Sequence, residues 1–307
     1  MVWLLMAFAS ATMLGFYDVN KKLSLRDNAV LPVLFLNILF CCAFLIPLIG
    51  ISTYAPHILQ DTPFYVAPIT WQQHLLIFIK SLIVLGAWIG GYIALKHLPL
   101  TVVGPITSTR PVLVLVGALL FFGETLNIYQ WVGVIVTVIA IYMMGLSGAR
   151  EGIHFRNNRW VWMLGISAVL GAVSALFDKY LMSSLDDKIP PLAVLSWYMT
   201  YQLIEMGLML LVLWYPQHKK TTPFQWRWSI PLISLFIILA DFIYFTALSQ
   251  DGAMISVVSM VRRSSVLVSF TLGIFLLREK NIKRKAFALS LILLGMIFLY
   301  IGTQYGR

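Results

Sequence analysis

The sequence predicts an all-α integral membrane protein of ten transmembrane helices, arranged as two inverted five-helix repeats. Three observations carry this reading. Hydrophobic residues fill 60% of the 307 positions and charged residues 11%, against roughly 25% charged in an average soluble domain. Ten stretches are apolar over about the 20 residues a helix needs to cross the hydrocarbon core. The two halves of the chain also share residues at corresponding places.

The stretches run approximately 2–19, 29–51, 74–96, 100–122, 127–146, 160–180, 190–214, 229–249, 252–277 and 284–303. They lack the two-residue alternation of barrel strands, and a backbone in lipid must satisfy its own hydrogen bonds, so each is a helix. The chain opens Met1-Val2-Trp3 with no positive region before the first apolar run. The expectation is a first helix that is retained and not a cleaved signal. Helix 2 begins beside Pro32 and contains the only cysteines, Cys41 and Cys42. As neighbours they are poorly placed to bridge one another, and they read as small core residues. The longest connection, about 52–73, holds Pro56, Pro63, Pro68 and Trp71 and reads as an interfacial loop. Helix 3 carries Gly86, Gly90 and Gly91, which allow close approach of another helix, and Lys80, expected about one turn from its end and free to snorkel. Helix 4 carries Gly104-Pro105 and Pro111, which free carbonyls and bend the helix near Arg110. Ala168 and Ala172 give helix 6 a small-residue face. Asp18 and Asp178, at the ends of helices 1 and 6, are expected in solvated pairs with Lys21-Lys22 and Lys179.

The halves, 1–149 and 150–307, match in order. Phe16-Tyr17-Asp18 corresponds to Leu176-Phe177-Asp178, Pro32 to Pro190-Pro191, and Ala94-Leu95 to Ala247-Leu248. Phe122-Gly123-Glu124 corresponds to Leu277-Arg278-Glu279 after a two-residue insertion in helix 9. Five helices per half start the second copy on the opposite side of the membrane, so the repeat is inverted, as in many secondary transporters. Glu124 and Glu279 are expected to tie the 4–5 and 9–10 turns.

Of the 22 Lys and Arg residues, four lie within helices (Lys80, Arg110, Arg262, Arg263). Three lie on one side (Lys179, Lys188, Arg307), and the remaining 15 lie in the connections 1–2, 3–4, 5–6, 7–8 and 9–10. The positive-inside rule then puts both termini outside the cytoplasm. Nucleic acid is excluded as a partner, since the basic residues sit in short membrane connections. No phosphate-cradling Gly-Lys-Ser/Thr loop is present, so the chain does not itself hydrolyse ATP. No cluster of His, Asp or Ser suits an enzyme, and no cofactor or metal is expected.

The segment Pro111 to Glu124, an apolar run ending in Gly123-Glu124, is followed by Gln130, Gly133 and Gly145. It resembles the signature of the EamA family of the drug/metabolite transporter superfamily. In the second copy Glu279 and Gly295 remain, while Arg278 and Lys285 replace the glycine and glutamine. The resemblance implies a ten-helix multi-pass protein of the cell (inner) membrane that exports or exchanges small metabolites such as amino acids. The family often carries an arginine in helix 2, where this chain has Asn37. Family members are commonly described with cytoplasmic termini, opposite to the charge count.

Charge at mid-helix depth costs at least about 2.5–3.5 kcal/mol per residue on insertion scales, so such residues face a cavity or a partner. Arg110, Arg262 and Arg263 are candidates to hold the carboxylate or phosphate of a solute, since a guanidinium suits bidentate contact. Glu205 and Asp241 are candidates for a coupling proton or for a substrate amine. The competing reading has these residues pair as helix-locking struts. Trp88, Tyr92, Trp197, Tyr201 and Tyr244 either line a central cavity or pack helices; Trp88 with Tyr92 and Trp197 with Tyr201 are spaced i, i+4. The preferred reading is a carrier working by alternating access around a midplane cavity. The alternative is a flippase for a lipid-linked or amphiphilic substrate on the same fold.

Overall fold

The computed structural model describes residues 2–97, 106, 109–146, 158–216, 222–265, 267–269, 271–272 and 282–305. Among these residues the chain forms ten α-helices: α1 (Val2–Leu25), α2 (Val30–Tyr54), α3 (Trp71–His97), α4 (Arg110–Phe121), α5 (Ile128–Leu146), α6 (Arg159–Lys179), α7 (Pro191–Met209), α8 (Ser229–Ser249), α9 (Ile255–Arg262) and α10 (Ile282–Tyr305). α6 and α7 run on into wider turns at Tyr180–Ser184 and Leu210–Trp214. Among the described residues, five helical spans are long and apolar enough to cross a membrane: Val2–Leu25, Val30–Tyr54, Trp71–Gly91, Arg159–Ser184 and Ser229–Ser249. Their outer faces carry Leu5, Phe44, Leu82, Ile166 and Leu232 in the open. Lipid, and not water, is the solvent those side chains fit. The chain is a multi-pass membrane protein.

Helix starts follow local capping chemistry. The Thr70 backbone N–H donates to Gln73 Oε1 at 2.8 Å and the Gln73 N–H donates to Thr70 Oγ1 at 3.3 Å, a reciprocal box that satisfies two of the first-turn donors. It starts α3 at Trp71, three residues earlier than the apolar run suggests. Asn127 and Gln130 make the same box for α5, at 3.1 and 2.9 Å, which gives Gln130 of the signature a physical role. Asn158 caps α6 by accepting from the Trp160 N–H at 2.9 Å.

The strongest packing joins the two halves. α1 lies along α8, α3 along α6, and α5 along α10; α2 meets α7 and α8, α3 meets α7, α4 meets α6 and α9, and α1 meets α9. Small residues set the closest crossings. A Cβ on Gly133 would stand 2.7 Å from the Gly295 carbonyl, and one on Gly295 would overlap Thr137 Oγ1. Only glycine on both helices permits α5 and α10 to touch there. In the α3–α6 crossing, Gly90 and Gly91 face Ser167, whose hydroxyl donates to the Ala87 carbonyl at 2.5 Å.

Bonds between connections group the helix ends. Asn28, between α1 and α2, donates to the Gln225 carbonyl at 2.7 Å, and Arg227 donates to the Leu23 carbonyl. Gln73 at the start of α3 donates to Asp187 ahead of α7 at 2.9 Å, and Lys188 stands 3.7 Å from Asp251. Asn127 donates to the Gly302 carbonyl at 2.8 Å.

Several expectations change. Lys80 does not snorkel: it is nine residues into α3, about 14 Å at 1.5 Å per residue, and only 2% exposed. Asp178 is not in a solvated pair with Lys179 but is buried against Lys80. Pro111 lies in the first turn of α4, where its missing N–H costs nothing, and Thr109 ahead of it is a turn residue. Glu124 does not tie the 4–5 turn but reaches α9 (below). Gly104-Pro105 and the Leu277-Arg278-Glu279 segment with Lys280 lie outside the described residues, as does the side chain of Tyr92.

Candidate functional site

Four cationic side chains and three carboxylates gather where the two halves meet. Lys80 Nζ on α3 lies 2.9 Å from Asp178 Oδ1 on α6, with 2% and 7% of the side chains exposed. The ammonium also sits 4.1 Å above the Tyr198 ring of α7 and 5.3 Å from the Phe245 ring of α8. Cation–π attraction adds to the ion pair in a site shielded from water. Arg262, the last residue of α9, donates to Asp241 of α8, and its guanidinium stacks 4.0 Å over the Tyr244 ring. Asp178, Asp241 and Arg262 lie within electrostatic reach of one another. Asp18 on α1 accepts from the Ser265 hydroxyl and faces Lys21, Arg262 and Arg263.

Two guanidiniums are left over. Arg110 Nη2 donates to the Gly171 carbonyl of α6 at 2.6 Å. A Cβ on residue 171 would stand 2.7 Å from Arg110 Cζ, so a glycine is what lets the guanidinium lie flat on α6. Among the described residues no carboxylate comes within ion-pair distance of Arg110 or Arg263, although Asp178 and Asp241 face the first and Asp18 the second. Arg110, Arg262 and Arg263 are close enough for mutual repulsion. A guanidinium has five donors in a planar fork, so most of the donor capacity at Arg110 is unspent.

Tighter turns adjoin both arginines. Ahead of α4, the Thr109 N–H bonds the Ile106 carbonyl at 3.1 Å. After α9, the Arg263 and Ser264 N–H groups bond the Met260 and Val261 carbonyls at 3.1 and 2.9 Å, and helix resumes at Ser265. These are tighter three-residue turns in place of the α-helical four. A tighter turn thus precedes Arg110 at the start of α4, and another holds Arg263 after α9.

Glu124 holds the frame on one side of this layer. Its Oε1 accepts from the Ile255 N–H at 2.7 Å, and its Oε2 accepts from the Ser256 N–H at 3.2 Å and from the Ser256 hydroxyl. The carboxylate thus sits at the positive end of α9. Lys179 Nζ lies 3.7 Å away and donates to the Ala253 carbonyl. One acid joins the ends of α4, α6 and α9.

Of the residues expected from sequence, Arg110, Arg262, Arg263, Asp241 and Tyr244 are brought together. Glu205 stands apart at the α3–α7 seam, bonded to Ser81 at 2.5 Å. Trp197 and Tyr201 belong to the same seam, around His74 at centroid distances of 4.5 and 6.4 Å. Trp88 is half-buried against the main core. Asn37 is buried with the Ser234 hydroxyl 3.0 Å from its Oδ1. Cys41 and Cys42 are free, buried and bonded to the Ser234 and Met199 carbonyls. Lys80, Asp178 and Gln202 were missed as site residues. Gln202 is fully buried and its amide has no hydrogen-bond partner among the described residues. The Thr70–Gln73 box was the available signal for Lys80, because it lengthens α3 outward and so sets the lysine at mid-depth.

Comparison with known proteins bears on this arrangement. The model of the EamA-like transporter family matches residues 1–146. No curated protein matches the chain. A solved structure described as "Crystal structure of protein" superposes with a TM-score of 0.70 at 14% identity, covering 99% of this chain and 98% of its own. That likeness concerns the fold.

Proposed function

We propose, from the match of residues 1–146 to the EamA-like transporter family, that this chain is a secondary transporter for small metabolites carrying a carboxylate or phosphate. The observation that carries this reading is the pair Arg110 and Arg263, with unspent donors at two tighter turns. Half-helix ends at a central layer are a recurrent way to hold charged solutes in carriers, and a guanidinium meets a carboxylate or phosphate in two parallel bonds. The layer holds one more cation than carboxylate, which an anionic group on the solute would offset. Amino acids fit, with the carboxylate at Arg110 and Arg263 and the amine toward Asp241 or the Gln202 amide.

The inverted repeat is part of the proposal. Pairing helix n with helix n + 5 exchanges α1–α8 packing with α3–α6, α2–α8 with α3–α7, and α1–α9 with α4–α6, while α5–α10, α2–α7 and α4–α9 map onto themselves. A two-fold axis between the halves would produce that pattern. The bonds between connections 1–2 and 7–8 on one side, and among 2–3, 6–7 and 8–9 on the other, agree with ten crossings. The halves would rock about the buried ion pairs to expose the arginines to each side in turn. Purified protein in liposomes, screened against labelled amino acids, tests this. Uptake of at least one of them, lost in Arg110→Gln, is the expected result; uptake with unaltered affinity in that variant removes Arg110 from the site.

A further inference from the structure

A carboxyl at mid-membrane depth outside the charged layer has a different environment from every other acid in the core. Glu205 on α7 is 9% exposed and makes one hydrogen bond, to Ser81 Oγ of α3 at 2.5 Å. Its other oxygen, Oε2, is buried with no partner. Among the described residues no cation pairs with it. The groups on the packed elements are engaged elsewhere: Lys80 of α3 with Asp178, Asp241 of α8 with Arg262, Tyr244 of α8 under Arg262, and the Cys41 and Cys42 thiols of α2 with backbone carbonyls. On α7 itself, Tyr198 lies under Lys80 and Tyr201 bonds His74.

The surroundings of this acid favour its neutral form. Ser81 Oγ lies 2.7 Å from the Phe78 carbonyl and 2.5 Å from Glu205 Oε1. The hydroxyl has a single proton, and the carbonyl can only accept. A proton on Glu205 would let each contact be a full two-centre hydrogen bond, with the carboxylic acid donating to Ser81 Oγ and the hydroxyl donating to the Phe78 carbonyl. An ionised carboxylate would also leave Oε2 charged, buried and unpartnered, which burial disfavours strongly against the neutral acid.

A polar pair stands between this acid and the start of α3. His74, three residues from the start of α3, lies 2.9 Å through Nδ1 from the Tyr201 hydroxyl. Tyr201 is one helical turn before Glu205 on α7, so the two share a face. His74 stands about 10 Å nearer the helix end than Ser81 by helical rise.

Resting on the transporter reading above, we propose that Glu205 is the proton-binding site that couples solute movement to the proton gradient, loaded through His74 and Tyr201. The proton that Glu205 carries leaves as the free carboxyl is exposed to the far side, and no other bond changes.

The test has two arms, both on full-length protein in liposomes. Infrared spectra at neutral pH are expected to contain a carboxylic-acid carbonyl band that is missing in Glu205→Gln and shifted in Ser81→Ala. Identical acid-region spectra for wild type and Glu205→Gln would overturn the proposal, whether or not any solute is carried. In the second arm, labelled amino-acid uptake is measured with and without a pH gradient. The ratio is expected to fall to unity in Glu205→Gln; a ratio equal to wild type would overturn it. If wild type carries none of the amino acids, the transporter reading fails while the infrared arm still decides the protonation of Glu205.

Discussion

Lys80 Nζ and Asp178 Oδ1, from the two halves of the chain, meet at 2.9 Å with almost no exposure. Removing either partner leaves a charge buried among Tyr198, Phe245 and apolar neighbours. Lys80→Met alone and Asp178→Asn alone are each expected to cost about 3–5 kcal/mol of stability. Lys80→Met with Asp178→Leu should recover most of that loss, since no lone charge remains. Melting temperatures of the three purified variants check this; a double variant as unstable as the sum of the singles would refute it.

Arg110 is held by the Gly171 carbonyl and by no acid. Arg110→Lys keeps the charge but not the planar fork, and is expected to restore little of the uptake lost in Arg110→Gln. A loss of about tenfold or more in apparent affinity corresponds to one charge-assisted bond pair of about 1.5–3 kcal/mol. Concentration-dependent uptake by both variants gives the comparison.

Gly171→Ala tests the same contact from the other side. Its Cβ would meet the tip of the Arg110 side chain, which is flexible and can give way. The variant should fold with wild-type thermal stability to within about 1 kcal/mol yet carry solute poorly, because the guanidinium is displaced. A stable variant with normal uptake would show that the position of Arg110 is not used.

Glu124 satisfies the first N–H groups of α9 and faces Lys179. Glu124→Ala is expected to lower stability by about 1–2 kcal/mol, the usual cost of losing a cap, with Glu124→Gln losing less. Chemical denaturation followed by tryptophan fluorescence reads both values; an Ala variant as stable as wild type would contradict the role.

The sequence made the helices legible because lipid demands long apolar runs, and each of the ten starts or ends within a few residues of where hydropathy puts it. The depth of Lys80 was not legible from hydropathy. Polar Thr70, Gln72 and Gln73 fall outside an apolar window, yet their capping box extends α3 and takes the lysine to mid-membrane. Asp178 was misread for the same reason, since helical backbone continues past it to Ser184. Arg110, Arg262, Arg263 and Asp241 stood out because charge in an apolar run is costly wherever it lies. Which of them pair depends on rotation about the helix axes: Arg262 and Arg263 are adjacent in sequence, but only Arg262 reaches Asp241. Trp197 and Tyr201 share a face as their spacing requires, but the face turns to His74 on α3, which no periodicity within α7 specifies.

Side-specific labelling at the turn ahead of α4 tests the account most directly. Thr109→Cys, in a background lacking Cys41 and Cys42, would be exposed in liposomes to a membrane-impermeant thiol reagent added outside or trapped inside. Alternating access predicts labelling from both faces in separate experiments, with each suppressed by the transported solute. Labelling from one face only, or from neither, under all conditions would contradict a site that opens to the two sides in turn.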